Sequence, residues 1–137
     1  EAQELPELYS FFTALPTTVV VDHMGRPDVS KPVDGEEFGL FLKLMTENTN
    51  FWSKVSCPER ISLAGPSNGY HDVIPFAREV VERFPDRVIW GTDWPHPNMK
   101  SHMPDDGKLV DFIPLIASTE RLQRKLLVDN PMKLYWS

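Results

Sequence analysis

In VIWGTDWPHPN, residues 88–98, an apolar run ends at Asp93, and Trp94, two prolines flanking His96, and Asn98 follow. TTVVVDHMGRPD, residues 17–28, has the same design: a valine run ends in Asp22 and His23. A third apolar run, NFWSKVS, occupies residues 50–56 between them. Runs this short, β-branched and continuously apolar suit strands covered on both faces. That restricts the chain to sheets sheltered by helices.

The segments between the strands have helical periodicity. Leu8, Phe11, Phe12 and Leu15 follow the i, i+3, i+4, i+7 spacing of an amphipathic helix, with Pro6 in its first turn. Phe38, Phe41, Leu42 and Met45 make a second stripe, with Asp34 as the expected N-cap and Glu37 closing a capping box. Val73, Phe76, Ala77, Val80 and Phe84 make a third, with Pro75 in its first turn. STERLQRKLLVDN, residues 118–130, predicts a late helix capped by Ser118 or Thr119 and stopped before Pro131, with a short helical turn after it. KSHMPDDGK, residues 100–108, reads as a solvated, charged loop or a flap.

Strand and helix alternation is the grammar of a parallel α/β sheet. Neither GxGxxG nor a P-loop lysine is present, so a nucleotide-binding fold has no support. A closed (β/α)8 TIM barrel needs eight strands and about 250 residues. If this is such a barrel, three strands in 137 residues make residues 1–137 a single domain piece, its C-terminal half. The missing N-terminal half would then be needed for a complete site.

The net charge of −6 argues against nucleic acid and anionic membranes as partners, but it permits a small anionic substrate at a locally basic site. The opening EAQELPELYS is acidic and polar, so no secretory leader is expected. Cys57 is the one cysteine, which forbids an internal disulfide and suits a reducing cytoplasm.

In parallel α/β folds functional groups collect at the carboxyl ends of the strands. Asp22, His23 and Arg26 follow the first strand, Ser56, Cys57, Glu59 and Arg60 the second, and Asp93, His96 and Asn98 the third. An imidazole can polarise a carbonyl, a guanidinium can grip a carboxylate, and a carboxylate can take a proton from water.

VVVDHMGRPD, KVSCPER and GTDWPHPN resemble the amidohydrolase superfamily, and within it the lactonase family that hydrolyses 2-pyrone-4,6-dicarboxylate in bacterial catabolism of lignin-derived aromatics. The resemblance extends through HMPDDGKLVDFIP to LLVDNPMKLYW. It implies a TIM barrel that opens a lactone ring reversibly, giving 4-oxalomesaconate. By the same resemblance, Asp93 is the general base, His23 an active-site imidazole and Arg60 a substrate-carboxylate ligand, with His96 and Asn98 lining the pocket. The family's His-x-His, carried by its first strand, has no counterpart here. Zinc catalysis needs about three protein ligands, and the second strand leads to Arg60 rather than to a histidine. No metal and no cofactor are therefore expected. A small dicarboxylate is the expected substrate.

The expected reaction has Asp93 deprotonate water while His23 polarises the carbonyl and Arg60 holds the ring. Desolvation at a barrel mouth would raise the pKa of such a base, and the arginine would oppose that. Structural readings stand beside these. His23 could simply bond at a strand end, Asp93 could shape a turn, and Arg60 could pair with Glu59. His96 and Asn98 could shape a proline-bounded loop. Arg26 reads as part of a Gly-Arg-Pro turn, and His71 and His102 as surface or capping groups. Cys57 reads as a buried filler, and the four tryptophans as core and barrel packing, with Trp94 at the pocket edge. Two rival functions remain: a metal-dependent hydrolase or decarboxylase acting on another small acid, separable by metal analysis, and a non-catalytic half-barrel acting by assembly, separable by size and activity measurements. A thiol hydrolase using Cys57 is a further rival, separable by alkylation.

Overall fold

A computed structural model describes residues 1–136. Its frame is a three-stranded parallel sheet in the order β1-β2-β3. The strands are β1 (Val19–Val21), β2 (Phe51–Ser56) and β3 (Val88–Gly91). β2 lies in the middle, with Val21 level with Ser53 on one side and Ser56 level with Gly91 on the other. Parallel neighbours need crossovers, and helices supply them. Here these are α2 (Glu36–Glu47) between β1 and β2, and α4 (Ile74–Arg83) between β2 and β3. A helix α1 (Leu5–Thr13) precedes the sheet, and a four-residue helix α3 (Pro58–Ile61) follows β2 directly.

The core forms where α2 and α4 cover the sheet. Phe38, Phe41, Leu42 and Met45 of α2 are buried with Phe76, Ala77 and Val80 of α4, as their spacing predicts. Phe38 sits in a ring pair with Phe41 and another with Phe76. Arg87 ties the amino end of the sheet, donating to the carbonyls of Met45, Asn48 and Phe51.

Several expectations change. The α1 stripe is only partly used, because Leu8 and Phe11 are exposed and Leu5 carries the burial. β1 is half-buried rather than covered, because it is an edge strand among the described residues. α2 starts from Gly35, without the Asp34 cap, because Glu37 is drawn away to the Asp28 amide and to Lys31. The charged loop turns helical at α5 (Asp106–Asp111), where Asp105 caps the amides of Gly107 and Lys108, and α6 (Ile113–Ile116) follows. In the late segment Thr119 is the cap of α7 (Glu120–Arg124). Pro131 does not stop the run. A wider π turn over Lys125–Asp129 carries it into α8 (Asn130–Tyr135), which has Pro131 as its second residue. Of the tryptophans, Trp52 is buried and Trp90 packs on the core, but Trp94 and Trp136 are exposed. No helix among the described residues is long and apolar enough to cross a membrane.

Candidate active site

Each strand breaks into a left-handed, non-glycine residue at its carboxyl end: His23 (φ 54°), Cys57 (φ 63°) and Asp93 (φ 63°). L-residues pay roughly 1–2 kcal/mol for that conformation. Such strain persists where the surrounding structure imposes it, typically at functional sites. Its effect here is to turn three side chains from three strands towards one another.

The geometry is tight. His23 Nε2 lies 3.6 Å from Asp93 Oδ1, and the two side chains are 12% and 20% exposed. Arg60 Nη2 lies 3.4 Å from Asp93 Oδ2. Cys57 Sγ donates to the same Oδ2 at 3.4 Å. The far ring nitrogen of His23, Nδ1, is 2.7 Å from Ser56 Oγ. Arg60 is steadied by its other amino group, which donates to the Pro97 carbonyl at 3.0 Å. Burial pushes the His23 imidazole below the usual histidine range, against the opposing pull of Asp93. Burial pushes the Cys57 thiol up to about 12, with Glu59 adding to the effect. A protonated, 1% exposed thiol is a poor nucleophile, which removes the case for a thiol hydrolase.

Two cavities flank this cluster. One, of about 300 Å³, is lined by Asp22, His23, Lys54, Ser56, Trp90, Asp93 and Tyr135 among others. Lys54 pairs with Asp22 at 2.7 Å on its rim. The second, of about 230 Å³, is polar and includes both Arg26 and Arg60. Arg26 holds Glu1 at 2.6 Å there. Arg26 also holds the turn expected of it, with φ 54° and its amide donating to the His23 carbonyl at 2.8 Å.

The remaining candidates stand apart. His96 is 4% exposed, and both its ring nitrogens are engaged, Nδ1 with Glu59 and Nε2 with Asp106, each at 3.0 Å. It braces the loop after β3 against α3 and α5 and presents no free nitrogen to a ligand. Asn98 is exposed on that loop with φ 67° and lines neither cavity. His102 bonds Tyr70 Oη at 3.0 Å, and His71 is exposed.

By spacing, His23, Cys57 and Asp93 could hold a cation, since their donor atoms lie within 4.8 Å of one another. The surroundings oppose it: the Arg60 guanidinium already sits on Asp93, and the thiol is held protonated. The cluster has the make-up of an acid–base site: a carboxylate whose Oδ1 faces only the imidazole, at 3.6 Å, and keeps a lone pair for water, and a guanidinium facing a polar cleft.

The family model described as Amidohydrolase matches residues 1–136. The chain is 73% identical to the 2-pyrone-4,6-dicarboxylate hydrolase of Comamonas testosteroni, over 99% of this chain and 47% of that protein. It is 42% identical to the 4-sulfomuconolactone hydrolase of Hydrogenophaga intermedia, over 85% of this chain and 38% of the other. The crystal structure of a probable 2-pyrone-4,6-dicarboxylic acid hydrolase from Acinetobacter baumannii, with citric acid bound, superposes with a TM-score of 0.73. That likeness has 30% identity and covers 97% of this chain and 47% of that one. The chain thus spans less than half the length of these relatives, and it corresponds to their C-terminal half.

Proposed function

The chain belongs to the amidohydrolase family, and on that premise we propose that the full-length protein opens the lactone ring of 2-pyrone-4,6-dicarboxylate. The product is 4-oxalomesaconate, and the reaction is reversible. The observation that carries the reading is the convergence of His23 and Arg60 on the two oxygens of Asp93, at 3.6 and 3.4 Å, beside a cavity of about 300 Å³. The identity with a named 2-pyrone-4,6-dicarboxylate hydrolase supports the substrate. So does the citric acid held by a solved relative, another small polycarboxylate.

In the proposed reaction Asp93 Oδ1 takes a proton from water and the hydroxide attacks the lactone carbonyl carbon. His23, neutral at working pH, donates from Nε2 to the carbonyl oxygen as charge develops there. The ring C–O bond breaks, the leaving enol oxygen takes the proton back, and the enol tautomerises to the ketone. Arg60 holds a ring carboxylate from the polar cleft and so fixes the angle of attack. The site is incomplete within this chain alone, and the remaining contacts would come from the N-terminal half of the barrel.

The test is Asp93→Asn in the full-length protein. General-base catalysis is worth about 10²–10⁴-fold, so kcat falls by about that factor while substrate binding stays within a few-fold. Turnover at the parental rate would remove Asp93 as the base. Arg60→Met raises KM by at least about tenfold, because a charge-assisted pair is worth roughly 1.5–3 kcal/mol. A second reading, a metal-dependent hydrolase, is favoured by the spacing of His23, Cys57 and Asp93 alone. Stoichiometric metal in the purified protein, with activity lost on chelation and restored by that metal, would establish it in place of the metal-free reading.

A further inference from the structure

We propose that Ser56 and Cys57, consecutive residues at the tip of the central strand, are the positioning residues of the site: Ser56 fixes the ring of His23 and Cys57 fixes the carboxylate of Asp93. The inference rests on the lactonase reading above and deepens it.

β2 is the one strand with a neighbour on each side among the described residues. Its tip alone can touch both the His23 end of β1 and the Asp93 end of β3. Two consecutive residues of a regular strand point to opposite faces and could not share one mouth. The left-handed backbone at Cys57 breaks that alternation. Ser56 then reaches His23 Nδ1 at 2.7 Å, and Cys57 reaches Asp93 Oδ2 at 3.4 Å. Both residues are almost wholly buried, at 3% and 1% exposure, so water does not compete for these bonds.

The direction of each bond follows from chemistry. Asp93 is an acceptor and faces His23 Nε2, so the single proton of the neutral ring belongs on Nε2. Nδ1 is then the lone-pair nitrogen, and the Ser56 hydroxyl donates to it. The tautomer so fixed is the one that can donate to a substrate carbonyl. On the other side the thiol remains S–H and donates to Oδ2, which Arg60 also approaches. Oδ2 is thus occupied twice, whereas Oδ1 faces only His23 Nε2, at 3.6 Å, and keeps a lone pair for water. One dipeptide sets the tautomer of the imidazole and chooses the reacting oxygen of the base.

The experiment measures 2-pyrone-4,6-dicarboxylate turnover by the full-length protein and its Ser56→Ala, Cys57→Ala, Cys57→Ser and Asp93→Asn variants, with imidazole ¹⁵N spectra of His23. Small misplacements at a reacting centre cost up to about 10²-fold. Ser56→Ala is expected to lower kcat by about tenfold or more, with KM within about twofold, and to turn the Nε2–H signal into a mixture of tautomers. Cys57→Ala lowers kcat, and Cys57→Ser, which keeps a donor in place, recovers most of it. An Nδ1–H tautomer in the parent protein, read without any variant, would overturn the proposal. Parental kcat in both Ser56→Ala and Cys57→Ala, with Asp93→Asn inactive, would overturn the positioning role and leave the lactonase reading intact. An active Asp93→Asn protein would overturn both.

Discussion

Burial holds His23 below the ordinary histidine range, and this has a signed consequence for stability. An unfolded chain takes a proton on this ring near pH 6.5, whereas the folded chain does so only at lower pH. The folded state therefore loses stability as pH falls through the unfolded value, and above it the contribution is constant. Urea unfolding of the full-length protein at several pH values between 5 and 8 should show this fall, and His23→Gln should flatten it. An unchanged slope in that variant would mean that the ring is not held neutral. Three residues of the candidate site were legible in the sequence for a simple reason. His23, Arg60 and Asp93 each lie within four residues of the end of an apolar run, and parallel strands end on one side of a sheet. Nothing in PHPN distinguished a buried brace from a ligand. His96 became a brace because Glu59, buried with one oxygen unpartnered, and Asp106 lie on either side of it. Those neighbours are 37 and 10 residues away. Cys57 read as a buried filler; it is buried, but its thiol also donates to Asp93. Its bond to Asp93 depends on a backbone turn that no spacing rule predicts.

At the scale of elements, the sheet is anchored at its amino end by two polar side chains. Arg87 donates to three main-chain carbonyls, and Asn130 donates from buried Nδ2 to the carbonyls of Pro85 and Val88. Removing either donor set leaves carbonyls without partners, at about 1–3 kcal/mol. Asn130→Ala should accordingly lower the unfolding free energy by about that amount and leave kcat unchanged, since Asn130 is remote from the mouth. A neutral effect in denaturant titration would contradict the anchoring role. Phe38→Ala, which empties the junction of α2 with α4, should cost more, about 3–5 kcal/mol. The long helices were legible because their stripes run for three turns. α3, α5 and α6 were not, being four to six residues long, and neither was the π turn before Pro131, which no period of 3.6 reports. The cap expected at Asp34 failed because Glu37 found Lys31 and a main-chain amide instead.

At the scale of the whole molecule, the three parallel strands of the described residues leave two open edges, and β1 is only half-buried. Open edges and partly covered apolar strands promote association. Produced alone, the 137-residue chain should self-associate at micromolar concentration and lack turnover, whereas the full-length protein should do neither. Sedimentation velocity and a lactonase assay on both would settle it, and a monomeric, active short chain would refute the half-barrel account. The parallel α/β class was readable from strand and helix alternation, whereas the barrel was implied by the resemblance of the strand-end motifs. The rest of the proposed mouth was not readable, since the chain spans less than half the length of its relatives.

The most direct test is a crystal structure of full-length Asp93→Asn protein with 2-pyrone-4,6-dicarboxylate bound. The lactone carbonyl carbon should lie about 3–4 Å from a water held by residue 93, in near-attack geometry. The carbonyl oxygen should face His23 Nε2, and a ring carboxylate should lie on Arg60. A ligand seated away from the three strand tips, or with its carbonyl turned from His23, would contradict the account.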